Sequence, residues 1–161
     1  MKNILVPFEY IETMPHILDC ALTIASKFSS RIQGVALQQR IDTFIAQEGS
    51  IIFDAYHDDS HKTKAQEFGL KFEEHINLAK TENNSLVGID CRWLSQELKN
   101  QKYLGDISRV FDLVVVSRPY QEMQSASLSS IQTILFDGGR PVLLIPTNKA
   151  VSYTHLRAHE T

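Results

Sequence analysis

The sequence predicts a doubly wound α/β domain of the nucleotide-binding-like kind, in which a five-stranded parallel sheet carries helices on both faces. Two observations predict it. Strand-like apolar runs alternate along the chain with segments of helical period, which is typical of stacked βα units. Several of the runs are apolar throughout, as in strands that are covered on both faces. The 161 residues fit one domain with a core of its own.

Five apolar runs carry the strand prediction. They are residues 4–8, 32–37, 86–93, 113–116 and 142–145. The fourth run, Leu-Val-Val-Val, is the strongest because it is β-branched almost throughout. Gly34 and Gly88 lie inside the second and third runs, and such glycines indicate close approach of a neighbouring group.

Four helical segments separate the strands. The first follows a cap at Thr13, has Pro15 in its first turn and ends at residues 29–30; the second covers about 60–80, with capping groups at 58–60. The third, 98–110, is weaker because Gly105 interrupts its pattern, and the fourth, 127–136, ends at residues 138–139. Residues 39–58 have no clean period, and we expect a short helix and a loop there. The residues expected on buried stripes are Met14, Ile17, Ala21, Ala25 and Phe28; Ala65, Phe68, Phe72, Ile76 and Ala79; and Leu128, Ile131 and Leu135.

Composition excludes several classes of function. The formal net charge is −3 and the basic residues form no cluster, so nucleic acid is not expected as a partner. No stretch approaches the ~18 apolar residues of a membrane span, so no membrane is expected either. Cys20 and Cys91 lie in apolar surroundings and no signal peptide precedes them, which predicts reduced thiols in the cytoplasm.

Three segments carry a resemblance to a known family. Residues 1–7 (MKNILVP), 112–116 (DLVVV) and 139–146 (GRPVLLIP), in this order, resemble universal stress proteins. The resemblance covers residues 1–147 and implies the strand order 3-2-1-4-5. It also implies pairing along the last strand, through Val142, Leu143, Leu144 and Ile145, either in a homodimer or with a second stress-protein domain, as in tandem members. The domain prediction is therefore residues 1–148, followed by an unstructured tail, 149–161, of non-native read-through type.

That strand order would place a ligand site at the ends of strands one and four, where the order reverses. Residues 7–9 and 117–119 face this switch point. ATP-binding members of the family carry a glycine motif after strand four, whereas this chain has no glycine between Gly105 and Gly138. Leu128 occupies the place where the last glycine of that motif would be. Pro119 lacks an N–H and Glu122 adds negative charge, so we expect no strong ATP binding.

A small anion is the ligand that the remaining residues suggest. The helix beginning near Ser127 offers N–H groups and a positive dipole end. The alternative is that its serines merely cap the helix and that Glu9, at the place of a family acid, is a buried or solvated acid. No cofactor is expected, with ATP or a small anion as the open alternative. The candidate ligand-binding residues are Pro7, Glu9, Leu37, Ser117, Arg118, Ser129 and Ser130.

Catalysis and metal binding find little support. Neither cysteine follows a nucleophile turn, and no pair of carboxylates stands at the strand ends. Residues 57–61 place two histidines four apart, but capping groups are expected there anyway, and the pair His155 and His159 lies in the tail. Trp93 and Tyr120 are interpreted as edge packing. The chain is therefore predicted not to be an enzyme and to hold no metal.

Three hypotheses of function remain. The first is a stress-protein-like regulatory or binding domain with a degenerate nucleotide site. The second is an ATP-binding stress protein with weak ATPase activity, which would use Glu9, the Leu37 backbone, Arg118 and Ser129 or Ser130. The third is a doubly wound domain that binds a different nucleotide, such as an electron-transfer flavoprotein-like domain.

Overall fold

The five strands form one parallel sheet in the order β3-β2-β1-β4-β5, which confirms the predicted order. The computed structural model describes residues 1–37, 58–98, 101–119 and 127–146, without the side chains of 58–63, 96, 97 and 101. The expected helix and loop at 39–58 therefore lie almost wholly outside the described residues, as does the tail from 149. The strands are β1 (Asn3–Phe8), β2 (Arg31–Leu37), β3 (Cys91–Leu98), β4 (Leu113–Ser117) and β5 (Val142–Ile145).

The helices cover both faces of the sheet, as predicted. They are α1 (Met14–Phe28), α2 (Asp58–Glu82), α3 (Gln101–Ser108) and α4 (Leu128–Thr133), and α4 continues into a π-helical turn, Ile134–Gly138. β1 shows the two-sided burial directly: Ile4 and Val6 pack in the cluster with α1 and α2, whereas Leu5 packs in the cluster with α3 and α4. All three side chains are fully buried, because successive residues of a strand point to opposite faces.

The third strand was predicted five residues too early. Leu86 belongs to a 3-10 turn, Asn84–Leu86, and Gly88 lies in the turn that follows, while β3 begins at Cys91 and continues to Leu98. The Asn83 side chain accepts a hydrogen bond from the Ser85 amide and holds this turn. Leu86 is buried although it precedes the strand, so its apolar character gave a misleading strand signal.

Two helix predictions need correction at their boundaries. Thr13 precedes α1, but its hydroxyl donates to the Tyr10 carbonyl and makes no cap to the helix. α3 begins at Gln101 and continues through Gly105 without interruption. The glycine serves packing between helices, because a Cβ at this position would lie 2.9 Å from Asp137 Cβ. Apolar residues predicted as buried but found exposed are Phe28, Leu128 and Leu135.

The fourth helix buries a different face from the one predicted. Its buried residues include Ser130, Ile131 and Thr133, and Ile134 follows in the π-helical turn. Only Ile131 of the predicted stripe is buried, since the helix presents Ser130 and Thr133 to the core as well. The helical segment ends at Gly139 in the left-handed conformation (φ 61°), as the glycine pair predicts.

An aromatic cluster closes the α2 side of the sheet over Gly34. Trp93 stacks on Phe8 with ring centroids 6.1 Å apart and contacts Phe72 at 5.3 Å. A Cβ on Gly34 would lie 2.7 Å from ring carbons of both Trp93 and Phe72. The close approach predicted at Gly34 is therefore observed, and Trp93 has a packing role.

No helix in the described part of the chain is long and apolar enough to cross a membrane.

Candidate ligand site at the switch in strand order

The strand order reverses between β1 and β4, at the position that the predicted order requires. β2 and β3 follow on one side of β1, and β5 lies beyond β4 on the other. Ile4 and Leu5 pair with Leu113 and Val114, so the two strands run side by side toward their carboxyl ends. Loops leaving these ends in opposite directions form the crevice in which ligands of doubly wound folds bind.

Glu9, the first residue after β1, reaches the beginning of α4. It is 8% exposed, and both of its carboxylate oxygens accept hydrogen bonds from Ser127. The Ser127 amide donates to Oε2 at 3.0 Å, and the Ser127 hydroxyl lies 3.2 Å from Oε1. A negative charge is favourable at this point because the first amides of a helix form its positive end. The two residues join segments 118 positions apart in the sequence.

The serines around Ser127 form a small hydroxyl network. Ser127 is the N-cap of α4, and its Oγ accepts from the Ser130 amide at 3.2 Å. Its Oγ also lies 2.8 Å from Ser130 Oγ and 3.4 Å from Ser129 Oγ. Ser127 therefore caps the helix, while Ser129 and Ser130 contact its hydroxyl. Ser130 is 7% exposed, so its hydroxyl lies inside this network and not at the surface.

The two described residues that directly follow β4 offer little backbone to an anion. The Arg118 amide donates to the Ile145 carbonyl at 2.7 Å, which extends the β4–β5 ladder past the end of the strand. Pro119 follows and has no N–H. A loop that binds phosphate through its backbone needs several amides directed at the ligand. At these two consecutive positions one amide is already bonded and the other does not exist.

The remaining candidate residues differ in accessibility. Pro7, Leu37 and Ser117 are buried, while the Arg118 side chain is exposed. Leu37 of β2 packs with Leu98, its partner residue in β3, and both lie on the side of β1 that is away from β4. The structure therefore brings Glu9 together with Ser129 and Ser130, through Ser127, and leaves Leu37 two strands away from β4.

Both cysteines are poor nucleophiles at neutral pH. Burial, and secondarily the charge of Asp19, raises the pKa of the Cys20 thiol. Burial raises the pKa of the Cys91 thiol to about 11, although the positive charge of Lys80 acts in the opposite direction. Thiols with raised pKa values remain protonated and react slowly. Both cysteines are free, in agreement with reduced thiols.

Within the described residues, no group of three or more metal-ligating side chains comes together. The side chains of His57 and His61, together with His155, His159, Tyr120 and Glu122, lie outside the described part of the chain, so the predictions made for them stay untested.

Sequence reasoning assigned Glu9 and Ser127 separately and missed that they bind each other. Glu9 was predicted as an acid at the end of the first strand, and Ser127 as a capping residue at the start of the fourth helix. No periodicity connects positions so far apart, and only the strand order brings β1 and α4 to one edge of the sheet.

Comparison with known proteins relates this fold to one group of solved structures. No protein-family model matches the chain, and no curated protein does. A universal stress protein family member from Burkholderia pseudomallei is 20% identical, with 90% of this chain and 96% of that chain covered and a TM-score of 0.51. The universal stress protein from Archaeoglobus fulgidus in complex with dAMP is 12% identical, with 90% and 97% covered and a TM-score of 0.54. A universal stress protein in complex with cAMP is 11% identical, with 91% and 98% covered and a TM-score of 0.51. This chain shares their fold over about nine tenths of its length.

Proposed function

We propose that this chain is a member of the universal stress protein family that acts as a regulatory or binding domain and does not bind ATP strongly. It would act by pairing with a second copy or with another domain of the same kind. The observation that supports weak ATP binding is the state of the backbone donors at the switch point: the Arg118 amide is bonded to β5, Pro119 has none, and the Ser127 amide is bonded to Glu9.

A triphosphate bound through the Arg118 or the Ser127 amide would displace bonds that the folded chain already makes. Displacing the β5 contact of Arg118 would shorten the sheet ladder, and displacing Glu9 would take both Ser127 hydrogen bonds from a buried carboxylate. Loss of hydrogen bonds to a buried charged group is costly. The serine hydroxyls at this end of α4 already bond with one another, so they offset little of that cost.

Among the described strands, β5 pairs with β4 alone, and its other edge supports pairing with a partner. The carbonyls of Pro141 and Ile145 accept hydrogen bonds from β4, so the alternate residues Val142 and Leu144 direct their main-chain groups away from β4. Leu144 is also 43% exposed. An apolar strand edge of this kind invites pairing with another strand. We therefore propose β5 as the surface of association.

Both cysteines are free thiols, as is common in a reducing compartment, and we propose that the protein acts in the cytoplasm. We propose a role without catalysis, and the raised pKa values of both thiols, which keep them protonated, support it for the cysteines.

A thermal-shift titration with Mg-ATP tests the nucleotide part of the proposal. We expect no rise in Tm at millimolar ATP beyond that caused by Mg²⁺ and matched salt. A ligand at 100 times its Kd stabilises the folded state by about 2.7 kcal/mol, which is a rise of roughly 5–10 °C for a chain of this size. Such a rise would favour the ATP-binding alternative, whose weak ATPase activity would then appear as phosphate release.

Two of the structural neighbours were solved with a bound mononucleotide, dAMP or cAMP. A nucleoside monophosphate is therefore the second ligand for the same titration. A rise in Tm with dAMP or cAMP, but none with Mg-ATP, would assign the site to mononucleotide sensing. Flavin absorbance of the purified protein would instead indicate a flavoprotein-like domain.

Sedimentation velocity tests pairing through β5. Leu144→Lys places a charge beside this edge, and in an antiparallel pair of two β5 strands centred on this residue the two lysines would lie opposite each other and repel. We expect the wild-type protein to sediment as a dimer and this variant as a monomer. Leu78→Lys is the matched control, because Leu78 lies on α2 and is 56% exposed. A monomeric wild type, or equal behaviour of the two variants, would contradict pairing through this edge.

A further inference from the structure

A cavity opens at the edge of the sheet where the strands begin, opposite the switch point. Its volume is about 190 Å³, and the residues around it belong to the first turns of the strands or directly precede them. A pocket for a drug-sized ligand has roughly 300–1,000 Å³, so this cavity suits a smaller molecule. We call it the amino-edge cavity, and the residues that matter to it are Asn3, Arg31, Gln33, Asp90, Arg92 and Phe111.

The cavity lies where one face of the sheet changes from apolar to polar. Leu5, Val35 and Leu94 pack in the cluster with α3 and α4. Side chains two positions apart in a strand point to the same face. On this face, the residues two positions before those three are all polar: Asn3, Gln33 and Arg92. The apolar core therefore stops short of the amino edge, and polar groups line the sheet there.

Two side-chain amides at the cavity have donors to offer. Asn3 and Gln33 are both half-buried. Within the described part of the chain, neither side-chain amide has a hydrogen-bond partner. An amide that is partly withdrawn from water and bonded to no protein group keeps its N–H groups available to a ligand.

Two guanidinium groups stand beside these amides and share one carboxylate. Arg92 Nε donates to Asp90 Oδ1 at 3.0 Å, and Arg31 Nε lies 3.8 Å from Asp90 Oδ2. Both contacts use Nε, so the Nη groups of the two arginines remain for another acceptor. The hydrogen bond from Arg92 and the charges of Arg92, Arg31 and Lys80 lower the pKa of Asp90, which is therefore ionised at neutral pH.

Positive charge is in excess around the cavity. Arg31, Arg92 and Lys80 lie close enough to act on the single carboxylate of Asp90. Asp112 adds a negative charge beside Asn3, but the amino terminus and Arg140 oppose it there. A ligand with one negative charge complements this balance, whereas a second negative charge would be repelled by Asp90.

We propose that the amino-edge cavity binds a small monovalent carboxylate, held between the guanidinium groups of Arg31 and Arg92 with its apolar part against Phe111. The planar fork of an arginine matches the two oxygens of a carboxylate. The amides of Asn3 and Gln33 supply further donors, and the half-buried ring of Phe111 supplies an apolar wall. This site goes beyond the proposed function, because it lies at the other edge of the sheet and needs no pairing through β5.

Benzoate is the probe, because it joins one carboxylate to an apolar ring. In ¹⁵N-labelled protein at constant ionic strength, we expect benzoate to shift the side-chain resonances of Gln33 and of Arg92 Nε and to raise the Tm. Benzamide has the same ring without the charge, and we expect it to change neither. The Ser127 amide, at the switch point, should not respond to benzoate.

Arg92→Gln removes one of the two guanidinium groups, and its side chain is 70% exposed, so the fold should tolerate the change. We expect this variant to bind benzoate about tenfold more weakly, as for loss of a charge-assisted contact. Lys102→Gln is the matched control, because it removes the same charge from an exposed position of α3 and should bind benzoate like the wild type. If Arg92→Gln does not fold, Arg31→Gln takes its place with the same expectation.

Four results would overturn the proposal. They are an absent Gln33 response at tens of millimolar benzoate, an equal response to benzamide, a response of Ser127 in place of Gln33, and equal affinities of the arginine variant and Lys102→Gln for benzoate. A stronger response to inorganic phosphate than to benzoate would overturn the monovalent carboxylate as the ligand class. Failure of the proposed function is read separately, by the Mg-ATP titration and by sedimentation, neither of which depends on the amino-edge cavity.

Discussion

Replacing Gly34 by alanine tests the packing between the sheet and α2. Gly34 lies in β2, beneath the rings of Phe72 and Trp93. The new Cβ would lie 2.7 Å from Phe72 Cε2 and 2.7 Å from Trp93 Cε3, whereas ordinary contacts of a Cβ are 3.4–4 Å. At least one ring would have to move by roughly 0.7 Å, the difference between those distances.

Neither ring can move without disturbing the other. Phe72 and Trp93 contact each other, and both contact Phe8, which is 1% exposed. Overpacking of this kind costs about 1–3 kcal/mol, and the relief of glycine's backbone entropy in a strand offsets about 0.5–1 kcal/mol. We therefore expect Gly34→Ala to lower the free energy of unfolding by about 1–2 kcal/mol.

Urea denaturation followed by circular dichroism measures this change. Gly88→Ala is the matched control, because a Cβ at that exposed turn position meets nothing within 4 Å. We expect the control to keep the wild-type midpoint and Gly34→Ala to unfold at lower urea with an unchanged m-value. Equal midpoints for the two variants would refute the reasoning, because the rings would then accommodate the new Cβ in spite of the short distances.

Two further predictions concern stability against pH. Burial raises the pKa of Cys91 to about 11, so between its ordinary value of 9.0 and 11 the unfolded state loses the proton first and the free energy of unfolding falls as pH rises. In urea titrations over this pH range, Cys91→Ala should show a shallower fall. Identical slopes for the variant and the wild type would count against this prediction. The amides of Lys2 and Asn3 donate to Asp112 and lower its pKa. This contact therefore stabilises the fold above the ordinary aspartate pKa, and its stabilisation is lost as pH falls through the lowered pKa. Asp112→Asn should be less stable than the wild type at neutral pH and lose less of its free energy of unfolding on acidification, and an unchanged acid profile would contradict this.

Strand signals in the sequence were reliable where burial is two-sided. β1, β2 and β4 were predicted to within one residue, because an apolar run that is covered on both faces has few alternatives. The bounds of β5 were also predicted, although this edge strand is only partly buried. β3 was misplaced because Leu86 and Ile89 are buried in the turn before it, and buried turn residues look like strand residues in a linear pattern. Leu128 and Leu135 were wrongly predicted as buried, because apolar residues also occur on exposed helix faces.

The composition of the chain and its local patterns determined the fold class and the glycine-poor segment after β4, whereas the predicted strand order, and with it the switch-point residues, came from the resemblance to universal stress proteins. These are local properties: a proline lacks an N–H wherever it stands, and a glycine-free loop cannot present bare backbone. Only the tertiary structure decided that Glu9 bonds Ser127 and that the Arg118 amide belongs to β5. Hydrogen-bond partners distant in sequence follow from which strand ends the sheet places side by side, and no periodicity within either segment carries that information.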